Sequence, residues 1–262
     1  MDETHGSFIW IELMTSDVEG AARFYGDVVG WSSKPVDGID YTVFEAGVPG
    51  EGCSAGVAGL MTLPASLAAE GVPPNWTGYV AVSDCDATAA RAEELGGTVC
   101  KGPEDIPGIG RFAVIADPHG AVICIMTPKP METTPPTVPM MAPGQLGWSE
   151  LHAGDCDEAF AFYADLFGWT KESDMDMGPM GIYRIFAHQG RAIGGMMTRL
   201  PQVPMPHWAY YVAVPALDAA VDRIGLNGGT VIFGPQEVPG PAYIVNAVDP
   251  QGAHFNLVST VR

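Results

Sequence analysis

The sequence predicts an α+β chain of four βαβββ modules, grouped as two tandem copies of a two-module domain. Three observations predict it. The first is a repeat. Trp10-Ile11-Glu12-Leu13 recurs as Trp148-Ser149-Glu150-Leu151. The following Asp17, Phe24-Tyr25 and Gly30-Trp31 recur as Asp155, Phe162-Tyr163 and Gly168-Trp169, all at an offset of 138. The second is a later set at an offset of 132. It comprises Trp76/Trp208, Tyr79/Tyr211, Asp86/Asp218, Gly96-Gly97/Gly228-Gly229, Gly102-Pro103/Gly234-Pro235 and Asp117-Pro118/Asp249-Pro250. The third is that the order strand, capped helix, strands occurs twice inside each copy. Internal repetition of this kind defines the architecture before any single element does. The change of offset places a six-residue length difference in the middle of each copy, where Gly47 to Gly56 is the looser segment.

The elements follow in order. Phe8 to Met14 alternates as a strand. Ser16-Asp17 caps a helix over Val18 to Val28, which carries Phe24 and Tyr25 and stops at Gly30. Tyr41 to Ala46 and Val57 to Met61 read as short strands. The pattern then restarts: a strand at Tyr79 to Val82, a cap at Asp84 or Asp86, and a helix from Ala87 to Leu95 ending at Gly96-Gly97. Strands follow at Thr98 to Cys100, Phe112 to Ala116 and Ala121 to Met126. The expected domains are residues 6–128 (modules about 6–64 and 74–128) and 145–260. Residues 129–144 between them are proline-rich and read as an extended linker.

Composition excludes several classes of function. The chain has 262 residues, with 31 acidic against 12 basic, a net charge of −19. Such a charge repels nucleic-acid phosphates and anionic lipid. No apolar run approaches the ~18 residues of a membrane span. The N-terminus has neither the basic nor the apolar region of a secretory signal. Five cysteines, an odd number without CxxC spacing, fit a reduced, cytoplasmic setting. No phosphate loop, dinucleotide fingerprint or Cys–His signature is present.

The strand–Asp–helix–Phe-Tyr–Gly-Trp opening and the Asp117-Pro118-His119-Gly120 ending, matched by Asp249-Pro250-Gln251-Gly252, resemble the vicinal oxygen chelate superfamily. This is the glyoxalase, bleomycin-resistance and extradiol-dioxygenase group, and the resemblance spans nearly the whole chain. It implies that paired modules form two half-open β-cups that hold ligands. It also implies a divalent metal held by His, Glu or Gln on the first and last strands of each module. Matched residue by residue, those positions hold Trp10 and Trp148, Tyr79 and Tyr211, Cys124 and Asn256, with the middle position at or beside Gly59 and Gly195. None is a histidine or carboxylate. The expectation is therefore no metal and no cofactor, and the ring-cleaving dioxygenase activity is rejected.

Strand alternation puts Glu12 and Met14 on the face of Trp10, and Glu150 and His152 on the face of Trp148. Each glutamate is either an acid–base or anchoring group or a carboxylate paired within the structure. Glu150, His152 and Glu12 are the candidate catalytic residues. An alternative metal site from Glu150, His152 and His207 is a minor reading. Trp10, Tyr79, Cys124, Trp148, Met197, His207, Trp208, Tyr211 and Asn256 are the candidate ligand-binding residues. Met175, Met177, Met180, Met196, Met197 and Met205 are expected in the middle loops of the second copy, where adaptable thioethers suit a broad apolar ligand.

Two-domain members without the metal set resemble bleomycin-resistance-type binders and accessory proteins of aromatic polyketide pathways. The leading expectation is a metal-independent protein that sequesters, carries or helps tailor a bulky aromatic or hydrophobic compound, with the second copy as the better site. The alternative is a lyase, isomerase or cofactor-free tailoring enzyme using Glu150 or His152 as acid–base. Dimerisation of the tandem chain is left open.

Overall fold

The computed structural model describes residues 4–130 and 138–262. Residues 131–137, within the expected linker, lie outside the described residues. The first module is β1 (Phe8–Thr15), α1 (Val18–Val29), β2 (Ser32–Pro35), β3 (Thr42–Gly47) and β4 (Ser54–Thr62). A short helix α2 (Ala65–Ala69) leads to the second: β5 (Asn75–Ala81), α3 (Cys85–Glu94), β6 (Thr98–Ile106), β7 (Gly110–Ala116) and β8 (Val122–Pro128). The third is β9 (Leu146–Ala153), α4 (Cys156–Phe167), β10 (Thr170–Asp176), a 3₁₀ turn (Gly178–Met180), β11 (Ile182–His188) and β12 (Arg191–Thr198). The fourth is β13 (His207–Ala213), α5 (Leu217–Leu226), β14 (Thr230–Val238), β15 (Ala242–Val248) and β16 (His254–Ser259).

The expected α+β fold of four βαβββ modules is present. The sequence reading missed β2 and α2. All four residues of β2 are exposed and α2 buries nothing, so neither leaves a hydrophobic period to detect. The strand orders are β2-β3-β4-β1-β5-β8-β7-β6 and β10-β11-β12-β9-β13-β16-β15-β14. Both sheets are open, with an edge strand at each end.

Register refines the repeat. Val43 faces Gly59 across β3–β4, and Ile185 faces Gly195 across β11–β12. These equivalent pairs stand at offsets of 142 and 136. The second copy is thus longer before β11, shorter in the β11–β12 hairpin, and shorter again before β13. The net six-residue change conceals three local ones.

Helix ends follow their capping residues. The Asp17 carboxylate accepts from the Gly20 amide, and Asp155 accepts from Asp157 and Glu158. Gly30 and Gly168 close α1 and α4 with φ of 92° and 69°, the left-handed region that glycine adopts without a Cβ penalty. Asp84 caps α3, whereas the equivalent Ala216 gives α5 no side-chain cap.

By packing, the chain divides into two compact units, each drawing one module from each copy. One contains residues 4–10, 77–130 and 149–209. Its core gathers Tyr163, Phe167, Trp169, Phe186 and Trp208, with Trp169 stacked on Phe186 at 4.5 Å. The Tyr163 hydroxyl donates to Asp117 and accepts from the Trp208 indole. Arg91 on α3 forms a forked pair with Asp165 on α4.

The other unit contains residues 11–76, 138–148 and 210–262. Its core uses Tyr25, Trp31, Phe44 and Trp76, the counterparts of four of those aromatics, together with Phe24 and Phe255. Tyr25 donates to Asp249 and accepts from Trp76. Arg223, the counterpart of Arg91, donates to the Val28 carbonyl at the end of α1. The recurring Phe-Tyr and Asp-Pro motifs thus join the first module of one copy to the second module of the other.

Candidate functional site

β9 alternates as expected. Ser149, Leu151 and Ala153 are buried on one face, while Trp148, Glu150 and His152 stand half-buried on the other. Laterally paired residues in a sheet share a face. In the parallel β9–β12 pair, Met197 lies beside His152 and Gly195 beside Glu150. In the β11–β12 pair, Tyr183 lies beside Met197. Tyr183, Met197 and His152 therefore form one row, and Gly195 and Glu150 belong to the next.

The Tyr183 ring crosses diagonally between these rows, and its hydroxyl donates to Glu150 Oε2 at 2.9 Å. Gly195 makes the crossing possible. A Cβ there would come within 2.2 Å of the Tyr183 ring and hydroxyl. The other carboxylate oxygen, Oε1, lies 3.1 Å from His152 Nε2. The His152 ring is stacked on His207, with centroids 4.8 Å apart and planes 22° apart. His207 Nδ1 lies 3.1 Å from the Met205 carbonyl. The structure thus brings together Glu150, His152, Met197 and His207 from the expected set, and adds Tyr183.

The first copy keeps only part of this array. Tyr41 donates to Glu12 Oε2 at 2.8 Å, and Glu12 lies beside Gly59. The places of His152 and His207 are taken by Met14 and Asn75. The Glu–Tyr brace is common to both copies, while the histidine pair belongs to the second. Tyr41 and Tyr183 recur at the offset of 142, which neither of the two longer series contains; a search for a third offset would have found them.

The remaining expected residues fall into three places. Tyr79 and Cys124 pair across β5–β8 and form an apolar cluster with Trp10, Met126, Ile106 and Phe112. Tyr211 and Asn256 pair across β13–β16. There Asn246 donates to both the Tyr211 hydroxyl and Asn256 Oδ1, and Asn256 donates to the Tyr210 carbonyl. Trp148 is half-buried on β9. Trp208 sits in an aromatic core with its indole nitrogen bonded to Tyr163. Three of the methionines expected in loops are in strands instead, Met175 in β10 and Met196 and Met197 in β12, Met196 being fully buried on the opposite face from Met197.

These side chains do not fit the divalent metal of the resembled family. Indole, glycine and a thiol packed among apolar rings are poor donors for a hard cation, and the Asn256 carbonyl oxygen is already engaged. Among the described residues, no group of three or more His, Cys, Asp and Glu is placed to hold a metal. The minor reading of a site from Glu150, His152 and His207 fails for a geometric reason. Imidazole lone pairs lie in the ring plane, so two face-to-face rings do not converge on one ion.

Two family models match the chain: "Glyoxalase-like domain" over residues 10–126, and "Glyoxalase/Bleomycin resistance protein/Dioxygenase superfamily" over 145–257. The chain is 33% identical over 252 residues to a Mycobacterium tuberculosis protein named "Putative glyoxylase CFP32", covering 95% of this chain and 93% of that one. It is 31% identical over 264 residues to the anthracycline biosynthesis protein DnrV of Streptomyces peucetius, covering 97% and 93%. Among solved structures, it resembles the Mn(II)-bound glyoxalase of Novosphingobium aromaticivorans (TM-score 0.63, 17% identity, 99% of this chain and 83% of that one). It also resembles 2,2',3-trihydroxybiphenyl 1,2-dioxygenase of Sphingomonas wittichii (TM-score 0.64, 13% identity, 98% and 90%). At these identities the structural likenesses concern the fold. The extradiol set of two histidines and a glutamate is replaced here by Trp148, Tyr211 and Asn256.

Proposed function

Because the chain belongs to the glyoxalase/bleomycin resistance protein/dioxygenase superfamily, we propose that it uses this fold without a metal to bind a bulky aromatic or hydrophobic compound, which it sequesters, carries or helps to tailor. The observation that carries this reading is the Tyr183–Glu150–His152–His207 array beside Met197, present in one copy only. It supplies a fixed carboxylate, an imidazole and a thioether on strands, where side-chain positions are held more precisely than on loops. The likeness to a protein named for anthracycline biosynthesis supports a fused-ring ligand. Glu12, Trp10, Tyr79 and Cys124 serve the first copy as packing.

Glu150 and His152 also favour a second reading, an enzyme of lyase or isomerase type. A carboxylate 3.1 Å from one imidazole nitrogen orients the ring, as an acid–base group requires. One experiment separates the two. Polycyclic aromatic compounds are titrated into the protein while tryptophan fluorescence is followed, and the recovered compound is analysed by mass spectrometry. Quenching with unchanged ligand supports the binder; a new mass supports the enzyme. Absence of binding across the series rejects both. One tightly bound divalent ion per chain in the purified protein overturns metal independence.

A further inference from the structure

The tautomer of His152 specifies what the second copy recognises. Nε2 lies 3.1 Å from Glu150 Oε1, and a carboxylate oxygen accepts. Nε2 therefore carries the proton in the neutral ring, and Nδ1 is left as an acceptor. That Nδ1 is buried and has no hydrogen-bond partner among the described residues. A buried acceptor without a donor is costly, and one good donor removes the penalty. The first copy has Met14 at this position and offers no such acceptor.

We propose, resting on the binding reading above, that the ligand of the second copy is a hydroxylated aromatic compound whose phenolic O–H donates to His152 Nδ1. Glu150 and Tyr183 are positioning residues in this arrangement. Tyr183 holds Glu150 Oε2, Glu150 Oε1 holds His152 Nε2, and the ring edge carrying Nδ1 is thereby aimed. Nδ1 is buried in this conformation, so a ligand reaches it by displacing a neighbouring side chain. A phenol suits the position better than an aliphatic alcohol because its O–H is the stronger donor.

The test uses the intact protein with 2-naphthol and 2-methoxynaphthalene, which share a ring system and differ in the donor. Binding is measured by calorimetry for the wild type and for His152→Met, which installs the residue found in the first copy. The expected result is about tenfold tighter binding of 2-naphthol by the wild type, with the preference lost in the variant. Equal binding of both probes by the wild type overturns the inference and leaves the binding reading standing. A preference that survives in His152→Met also overturns it. Failure of both probes to bind overturns the underlying reading, and the inference with it. A second measurement needs neither ligand nor variant. Nitrogen-15 NMR of the imidazole at about pH 8.5, above the ordinary histidine range, should show the proton of His152 on Nε2; a proton on Nδ1 overturns the assignment.

Discussion

At the scale of the residue, the decisive position is one without a side chain. Gly195 lies at or beside the place where the family resemblance implies a metal ligand, and the Tyr183 ring occupies the space above it. Gly195→Ala would place a Cβ 2.2 Å from that ring, with buried strand on both sides. The ring must move, and the hydrogen bond to Glu150 goes with it. The expected stability cost is about 1–3 kcal/mol, and affinity for aromatic probes should fall by more than the stability change explains. Gly225→Ala is the control: it lies in α5 with nothing within 4 Å of the added atom, and should be neutral or stabilising by up to ~1 kcal/mol. Urea unfolding read beside probe titration checks both; an unperturbed Gly195→Ala would show that Tyr183 is not held by that surface. Most of this array was legible in the sequence. Strand period two placed Glu150 and His152 on one face, because alternation is a local property. Tyr183 left only the weaker signal of the offset of 142, because it reaches Glu150 from a strand whose register is set by hairpin length.

At the scale of the element, the repeat predicts where the fold is under-braced. α3 begins with Asp84, whose carboxylate accepts from the Ala87 amide; α5 begins with Ala216 in the same extended conformation and has no such bond. Ala216→Asp should therefore stabilise by about 1 kcal/mol, and Asp84→Ala should cost a similar amount. Thermal or urea unfolding measures both, and a destabilised Ala216→Asp would mean that its half-buried site rejects the charge. The Asp-Pro-x-Gly turns give a pH-dependent case. Asp249 accepts from Tyr25 and from the Gln251 and Ala253 amides, yet burial holds its carboxyl above the ordinary value of 3.8. A raised carboxyl contributes stability that is present below the ordinary value and lost as pH rises through the folded value. Wild type should thus gain on an Asp249→Asn variant as the medium is taken from pH ~7 towards ~4. Urea midpoints of the two proteins at both ends of that range test the sign; a constant difference would show that Asp249 does not titrate in this window. The motif itself was plain in the sequence, but its role was not, because its partner Tyr25 lies more than two hundred residues away.

At the scale of the whole molecule, the repeat that is easiest to see along the chain differs from the division seen in space. Copies separate at the proline-rich stretch, whereas each compact unit takes one module from each copy. The bonds behind this are specific. Tyr25 of the first copy meets Asp249 of the second, and Tyr163 of the second meets Asp117 of the first. Each is a buried hydroxyl–carboxylate pair, and each is lost when the copies are separated. A fragment ending at residue 128 would keep Asp117 without Tyr163 and Tyr25 without Asp249, and would expose Phe24 and Tyr25, which pack on Phe255 in the intact chain. Orphaning a buried polar partner costs ~1–3 kcal/mol, and there are two such pairs in addition to the exposed aromatic surface. Marginal domain stability of ~5–15 kcal/mol does not absorb that loss together with half of each core. The fragments 1–128 and 138–262 should therefore lack a cooperative thermal transition when separate and monomeric, and recover one when mixed in equal amounts. Calorimetry and sedimentation of each fragment and of the mixture decide it. A monomeric 1–128 fragment that melts cooperatively would show that the copy, and not the interleaved unit, is what folds.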